Sequence, residues 1–112
     1  GNPEDINCVK QMQRRSGKTG IICANDSTAA VLMSTLADIG VQISSDLLIC
    51  AYDNMKYSMH LKHSLTSFKQ PCEEIANVSV ELMFRRINNT NAFPVTVNLA
   101  GEIIVRDSSK FG

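Results

Sequence analysis

The sequence predicts an α/β fold in which helices flank a mainly parallel sheet. Two short apolar runs, residues 21–24 and 47–51, have the unbroken hydrophobic pattern of strands that helices cover on both faces. Between them, residues 27–39 carry apolar side chains at helical spacing. Because strands that alternate with helices are joined by crossovers, this order indicates a parallel sheet.

The first half of the chain also predicts where its helices begin and end. A first helix covers about residues 4–15, where apolar residues recur at every third position. The helix at residues 27–39 has Asn25 or Asp26 available as its N-cap, and Gly40 is placed to end it.

The second half predicts three strands and a long helix. A strand at residues 65–69 is followed by Pro71, which opens a helix that runs to about Asn88. The apolar residues of this helix cover more than one narrow stripe, so the helix must bury more than one side. Residues 94–99 and 102–106 predict two further strands that flank a hairpin turn at residues 100–101.

Composition predicts one small globular domain. The chain has 112 residues, of which 44% are hydrophobic and 20% charged. Eleven Lys and Arg balance eleven Asp and Glu, so no net field draws this chain to nucleic acid or anionic lipid. No apolar run approaches the roughly 18 residues of a membrane span. The four cysteines lack C-x-x-C spacing, which predicts reduced thiols in the cytoplasm.

Polar side chains follow three of the predicted strands. Asn25 and Asp26 follow the first, Asp53 and Asn54 the second, and Gln70 the third. Ligands of open parallel sheets lie outside the carboxyl ends of the strands. Carboxylates and amides suit ligand hydroxyls and ring nitrogens, and no nucleophile is paired with a base here. The pattern therefore predicts recognition of a small molecule rather than catalysis.

A purely structural interpretation of the same residues stays open. Asn and Asp after a strand often cap the next helix or shape a turn. For Asp26 capping is the favoured interpretation, whereas for Asn25, Asp53 and Gln70 the sequence pattern leaves both interpretations equal.

Two other motifs predict neither a cofactor nor a metal. Residues 17–19 resemble the end of a phosphate-binding loop, but they precede a strand, and Met12 stands where that loop needs glycine. His60 and His63 are three residues apart, but no acidic residue or Cys lies close in sequence to complete a metal site. They are therefore interpreted as ordinary surface histidines. A nucleotide- or phosphate-dependent enzyme is thus disfavoured.

Five segments resemble, in order and spacing, the effector-sensing domain of the LacI/GalR family of bacterial transcription regulators. They are residues 22–30 (ICANDSTAA), 36–47 (LADIGVQISSDL), 51–54 (AYDN), 65–71 (LTSFKQP) and 104–109 (IVRDSS). The family shares its fold with periplasmic sugar-binding proteins. Two departures, Ala51 where glycine is usual and Asn54 where aspartate or glycine is common, concern a single loop.

The resemblance implies a partial lobe of the periplasmic-binding-protein-like type I (Rossmann-like) fold. Residues 1–112 would be a C-terminal fragment of the effector-binding domain, and residues 72–90 a helix that belongs to the missing N-terminal lobe. Asn25, Asp53 and Gln70 match positions that commonly bind the effector, which is expected to be a sugar or sugar derivative. Operator DNA would be bound only by a head absent from this chain.

The resemblance also implies a cytoplasmic homodimer without enzymatic activity or membrane contact. The expected interface lies on residues 27–39 and 55–63, and includes Leu32, Met33, Leu36, Tyr57, Met59 and Leu61. The apolar surface of the helix at residues 72–87 offers a competing route to association. The alternative function is a periplasmic sugar-binding protein of an ABC transporter. The segments LTSFKQP and IVRDSS favour the regulator, as do the unpaired-looking cysteines.

Overall fold

A computed structural model describes residues 19–111 of the chain. The helix expected at residues 4–15 lies outside them. The described elements, in chain order, are strand β1 (Thr19–Ile22), helix α1 (Asp26–Asp38), strand β2 (Leu47–Tyr52), a 3-10 helix (Lys56–His60), strand β3 (Thr66–Lys69), helix α2 (Cys72–Asn88), strand β4 (Glu102–Ile104) and a second 3-10 helix (Asp107–Ser109).

The strands form one sheet in the order β1-β2-β3-β4. β1 pairs with β2 and β2 with β3, both in parallel, so that Ile22 lies opposite Cys50 and Cys50 opposite Thr66. The predicted fold class, a mainly parallel sheet with helices, is therefore confirmed. The described chain divides into two compact units, the first up to Lys69 and from Ile103 onward, the second Gln70–Glu102.

The core of the first unit lies between α1 and one face of the sheet. Leu47, Ile49 and Ala51 alternate inward along β2. The core residues are Cys23, Ala29, Met33, Leu36, Val41, Ile43, Leu47, Ile49, Ala51 and Leu65. The expectation that helices cover both faces is not met within residues 19–111, where burial alternates along β1 and Ile22 is 84% exposed. α1 supplies its apolar stripe to one face only.

Helix α1 begins and ends as its sequence predicts. Asn25 is the N-cap, because its side-chain Oδ1 accepts a hydrogen bond from the Thr28 amide at 2.9 Å. At the other end, the Val41 amide donates to the Leu36 carbonyl and the Gly40 amide to the Ala37 carbonyl. This pair of bonds is a Schellman motif, which requires a left-handed residue, and Gly40 meets that need with a φ of 78°.

The second unit contains α2 and the segment that follows it. α2 has the predicted bounds, acidic residues in its first turn and arginines in its last. None of its side chains is buried, and Met83, Phe84 and Ile87 are more than half exposed. None of the described helices is long and apolar enough to cross a membrane.

The strand and hairpin expected at residues 94–101 are wrong. Residues 92–101 have no strand assignment, and β4 begins only at Glu102. The carbonyls of Ala92 and Phe93 accept hydrogen bonds from the guanidinium groups of Arg86 and Arg85. Two arginines in the last turn of α2 thus hold the beginning of this segment against the helix. An alternating apolar pattern cannot by itself form a strand without a partner strand.

Candidate ligand-binding site

Two loops with polar side chains open on the same edge of the sheet. Asn25 and Asp26 follow β1, and Asp53 and Asn54 follow β2. Because β1 and β2 are parallel neighbours, the loops after them lie at the shared carboxyl edge. A hydrogen bond of 2.7 Å from the Met55 amide to the Asp26 Oδ2 atom joins the two loops directly.

Asn25 combines a structural role with a half-exposed position at this edge. Its Oδ1 atom accepts hydrogen bonds from the Thr28 amide and, at 2.8 Å, from the Ser27 hydroxyl. Its amide nitrogen carries two further N–H donors, which these bonds do not use. The capping interpretation is therefore correct for the oxygen, and recognition of a ligand by Asn25 would fall to the nitrogen.

Asp53 is exposed and stands on a strained piece of backbone. Its φ is 112°, and that of Asn54 is 54°, both in the left-handed region that favours glycine. The Asp53 amide donates to the Phe68 carbonyl at 3.0 Å, so β3 holds the loop immediately after β2. The side chain of Asn54 accepts a hydrogen bond of 2.8 Å from the Arg106 guanidinium.

Asp26 is fully buried and does not cap α1, which corrects the capping interpretation. Its carboxylate accepts hydrogen bonds from the Met55 amide, the Ser58 hydroxyl and the Ser67 hydroxyl. Ser58 and Ser67 are themselves fully buried. Asn25 takes the cap instead, because it precedes the first helical residue.

Gln70 lies at the start of the second unit, directly after β3. It is half-buried, and its backbone carbonyl accepts a hydrogen bond of 2.9 Å from the Cys72 amide at the beginning of α2. Asn25 and Asp53 thus lie together in the first unit, whereas Gln70 belongs to the other one.

Sequence reasoning missed three residues that build this edge: Ser58, Ser67 and Arg106. The Arg106 guanidinium donates to the Leu65 carbonyl at 2.7 Å as well as to Asn54. A serine inside a buried strand, as at Ser67, is a usable signal, since a buried hydroxyl needs a partner. Nothing in the local sequence of Ser58 or Arg106 points to Asp26 or Asn54.

The residues expected at a dimer interface divide into three groups. Met33 and Leu36 are 8% and 0% exposed and form part of the core, so these two are removed from the expected interface. Leu32 and Leu61 are partly buried against the same core. Tyr57 and Met59 are 38% and 53% exposed, and they remain candidates. The apolar stripe of α1 therefore packs against the sheet of its own chain and forms part of the core.

The second half of α1 borders a cavity away from the polar edge. It has a volume of about 310 Å³ and is lined by α1, by the turn at residues 40–43 and by residues 61–63. His63 lies in this lining, whereas His60 is exposed. Among residues 19–111 no group of three or more His, Cys, Asp or Glu is arranged to hold a metal ion.

One titratable group in the core is clearly perturbed. Burial raises the pKa of the Cys23 thiol above its usual value of 9.0, and the neighbouring Cys50 raises it further. The Cys23 sulfur is therefore a protonated core group rather than a reactive thiolate.

The family of the chain follows from comparison with known proteins. A family model described as the periplasmic binding protein-like domain matches residues 2–109. The chain belongs to this family. The predicted resemblance to LacI/GalR regulators is confirmed by its relatives within the family. One is the HTH-type transcriptional repressor PurR of Photobacterium profundum, which is 28% identical over 92 residues, 82% of this chain and 28% of that protein.

Two solved structures of this family are similar over nearly the whole chain. A LacI family transcriptional regulator from Enterococcus faecalis, with bound ribose, is 27% identical with a TM-score of 0.78 and matches 93% of this chain and 39% of its own. A periplasmic binding protein/LacI transcriptional regulator from Alkaliphilus metalliredigens, complexed with D-xylulofuranose, is 30% identical with a TM-score of 0.77, over 94% and 38%. The present chain spans less than a third of the length of the PurR proteins of Photobacterium profundum and Vibrio vulnificus.

Proposed function

We propose that this chain is the sensing part of a bacterial transcription regulator whose affinity for operator DNA changes when a small sugar binds. One observation carries the proposal: 93% or more of the chain shares its fold with two regulators that hold ribose and D-xylulofuranose. The polar edge formed by the loops after β1 and β2 lies where ligands of parallel sheets bind.

Asn25, Asp53 and Gln70 are proposed as the ligand-binding residues of this site. A carboxylate accepts hydrogen bonds from two hydroxyls at once, which suits the vicinal diol of a sugar. The amide nitrogens of Asn25 and Gln70 donate to sugar oxygens, and the Gln70 oxygen also accepts. These groups supply binding and orientation, and the proposed action of the protein is regulation rather than catalysis.

The second unit is proposed to belong to the opposite lobe of a two-lobed domain. All side chains of α2 remain at least partly exposed, although its sequence carries enough apolar residues to cover two sides. A ligand that contacts both lobes binds the closed state more tightly, and so shifts the population toward closure. Gln70 is proposed to contact the ligand at the cleft or its hinge, as the family resemblance implies.

A homodimer is proposed to form through the outer surface of α1 and the 3-10 helix at Lys56–His60. Val31, Met55 and Met59 are 61%, 48% and 53% exposed there. Apolar side chains of this kind are enriched in the centres of interfaces between copies. Binding of operator DNA is assigned to a head outside this chain, and the cytoplasm is the matching compartment. The chain's similarity to a transcriptional repressor and to a LacI family transcriptional regulator favours this function over that of a transporter's sugar-binding protein.

Isothermal titration calorimetry tests the sugar-binding part of the proposal. The intact protein is titrated with D-ribose and with a panel of other pentoses and hexoses, and the best ligand is then titrated into Asp53→Ala. A hydrogen bond to a charged group contributes about 1.5–3 kcal/mol, so we expect the Kd to rise about 10- to 150-fold.

Asp38→Ala provides the matched control for this titration. Asp38 is an exposed aspartate at the far end of α1, about 18 Å from the polar edge at the 1.5 Å rise of a 13-residue helix. Its replacement should leave the Kd unchanged. No binding of any sugar in the panel, or equal Kd values for wild type and Asp53→Ala, would contradict the proposal.

A further inference from the structure

Two consecutive residues after β2 adopt backbone conformations that side chains disfavour. Asp53 and Asn54 have φ values of 112° and 54°. Such outliers persist only where the surrounding structure over-determines them, and they cluster at functional sites. Contacts from neighbouring residues must therefore hold residues 53–55, which we call the Asp53 loop, in this conformation.

Three successive amides of this loop donate hydrogen bonds to fixed acceptors. The Asp53 amide donates to the Phe68 carbonyl at 3.0 Å and the Asn54 amide to the Ser67 Oγ atom at 2.9 Å. The Met55 amide donates to the Asp26 Oδ2 atom at 2.7 Å. Because the Ser67 hydroxyl in turn donates to the Asp26 Oδ1 atom at 2.6 Å, two of the three amides are tied to one carboxylate.

This carboxylate is fixed in place by burial and by complete hydrogen bonding. Asp26 has no exposed surface, and a third donor, the Ser58 hydroxyl, reaches its Oδ2 atom. In the part of the chain that the structure describes, no buried side-chain nitrogen or oxygen lacks a partner. Hydrogen bonds to a charged acceptor are stronger than neutral ones, so they can oppose strain in the adjacent backbone.

We propose that Asp26 is the positioning residue that holds Asp53 in its binding conformation. Asp26 acts through the Asn54 and Met55 amides and through Ser67, and it does not itself touch the ligand. The inference rests on the proposed function, since Asp53 is there a ligand-binding residue. On this inference, the sugar affinity of the polar edge depends on the buried hydrogen-bond network around Asp26 as well as on the exposed side chains that contact the sugar.

Two serines of the network form a matched pair for the test. Ser58 and Ser67 are both fully buried, and each donates one hydroxyl hydrogen bond to Asp26. Only the Ser67 hydroxyl also accepts from the Asn54 amide. Ser67→Ala should therefore release the Asp53 loop, whereas Ser58→Ala removes a comparable buried bond and leaves the loop held.

The experiment measures two quantities in the intact protein for wild type and both variants. The first is amide hydrogen exchange at Asn54 and Met55 by NMR, and the second is the Kd for D-ribose by calorimetry. Ser67→Ala should speed exchange at Asn54 about tenfold and raise the Kd about fivefold. Ser58→Ala should change the exchange rate and the Kd by less than about twofold each, although it should lower the free energy of unfolding about as much as Ser67→Ala does.

Asp26 itself is tested by a conservative and a truncating variant. In Asp26→Asn the amide oxygen can accept from Met55 and Ser58, and the amide nitrogen can donate to Ser67, whose second lone pair still accepts from Asn54. We expect Asp26→Asn to retain a Kd within about threefold of wild type, and Asp26→Ala to lose binding about tenfold or more.

The outcomes separate this inference from the proposed function. The positioning role would be overturned if Ser58→Ala and Ser67→Ala raised the Kd equally, in proportion to their loss of folding free energy. Faster exchange at Asn54 with an unchanged Kd in Ser67→Ala would also overturn it. If wild type binds no sugar of the panel, the proposed ligand class fails, and exchange still decides whether Ser67 and Asp26 hold the loop. Wild-type affinity in Asp53→Ala would overturn the proposed role of Asp53 and with it the effect of Asp26 on affinity, whereas exchange at Asn54 would still report whether Asp26 holds the loop.

Discussion

Replacing Asp53 by glycine and by alanine separates its backbone strain from its side-chain chemistry. Both substitutions remove the carboxylate, so every side-chain interaction is lost equally in the two variants. The remaining difference between them is the cost of a Cβ atom at a φ of 112°.

The size of that difference follows from two opposing terms. A non-glycine residue in a sparsely populated φ region costs about 1–3 kcal/mol in the folded state. Glycine in place of alanine costs about 0.4–1 kcal/mol through the greater freedom of the unfolded chain. With mid-range values of about 2 and about 0.7 kcal/mol for the two terms, Asp53→Gly should be more stable than Asp53→Ala by about 1.3 kcal/mol.

Urea denaturation of the two variants measures the difference as a shift in midpoint at constant m-value. The same pair of substitutions at Asp38, which lies in helix α1, is the control. There glycine should be less stable than alanine, by about 0.5–1 kcal/mol. Sugar binding should be weakened equally in both Asp53 variants. Equal stability of Asp53→Gly and Asp53→Ala would refute the assignment of strain to this residue.

Three further expectations concern the core, the interface and the thiols. Leu36→Ala should lower the free energy of unfolding by about 2–5 kcal/mol in urea, because Leu36 is completely buried in the core; a loss below 1 kcal/mol would contradict its place there. Met59→Asp should dissociate the dimer in sedimentation equilibrium while Met83→Ser does not, and the reverse result would move the interface to α2. Iodoacetamide at pH 8 should modify the exposed Cys72 well before Cys23, since burial raises the pKa of the Cys23 thiol and keeps it protonated; equal rates would show that Cys23 is accessible.

The elements with strong local signals could be predicted from the sequence. Helix α1 has its apolar stripe, an N-cap residue at Asn25 and a glycine at the position of its Schellman motif. Each of these is a short-range effect that involves residues no more than five positions apart. The strands β1, β2 and β3 were likewise predicted within a few residues, because each is a short apolar run followed by polar residues.

The errors arose where a residue's partner is distant in sequence. Asp26 looks like a helix cap, yet its hydrogen-bond partners Ser58 and Ser67 lie 32 and 41 positions away. The resemblance places Met33 and Leu36 at an interface between copies, but in the structure they pack in the core between α1 and the sheet. Period and spacing report which residues share a face, and they do not report what covers that face.

The candidate site was predicted in part. The carboxyl ends of parallel strands are fixed by topology, so Asn25 and Asp53 were expected at one edge, and the structure brings their loops together. The left-handed conformation at Asp53 was not expected, because it depends on acceptors supplied by β3 and by Asp26. Their roles in binding an effector remain predictions.

DNA affinity measured with and without the sugar tests whether the polar edge of the sheet senses an effector. The intact protein is first used to select its preferred duplex from a random pool, and the Kd for that duplex is determined by fluorescence anisotropy. We predict that saturating sugar changes this Kd about 5- to 150-fold in wild type, the usual range of coupling between two sites. In Asp53→Ala the Kd for DNA should match wild type without sugar, and its response should need about 10- to 150-fold more sugar. A response in Asp53→Ala at the same sugar concentrations as in wild type would contradict the assignment of effector sensing to this edge of the sheet.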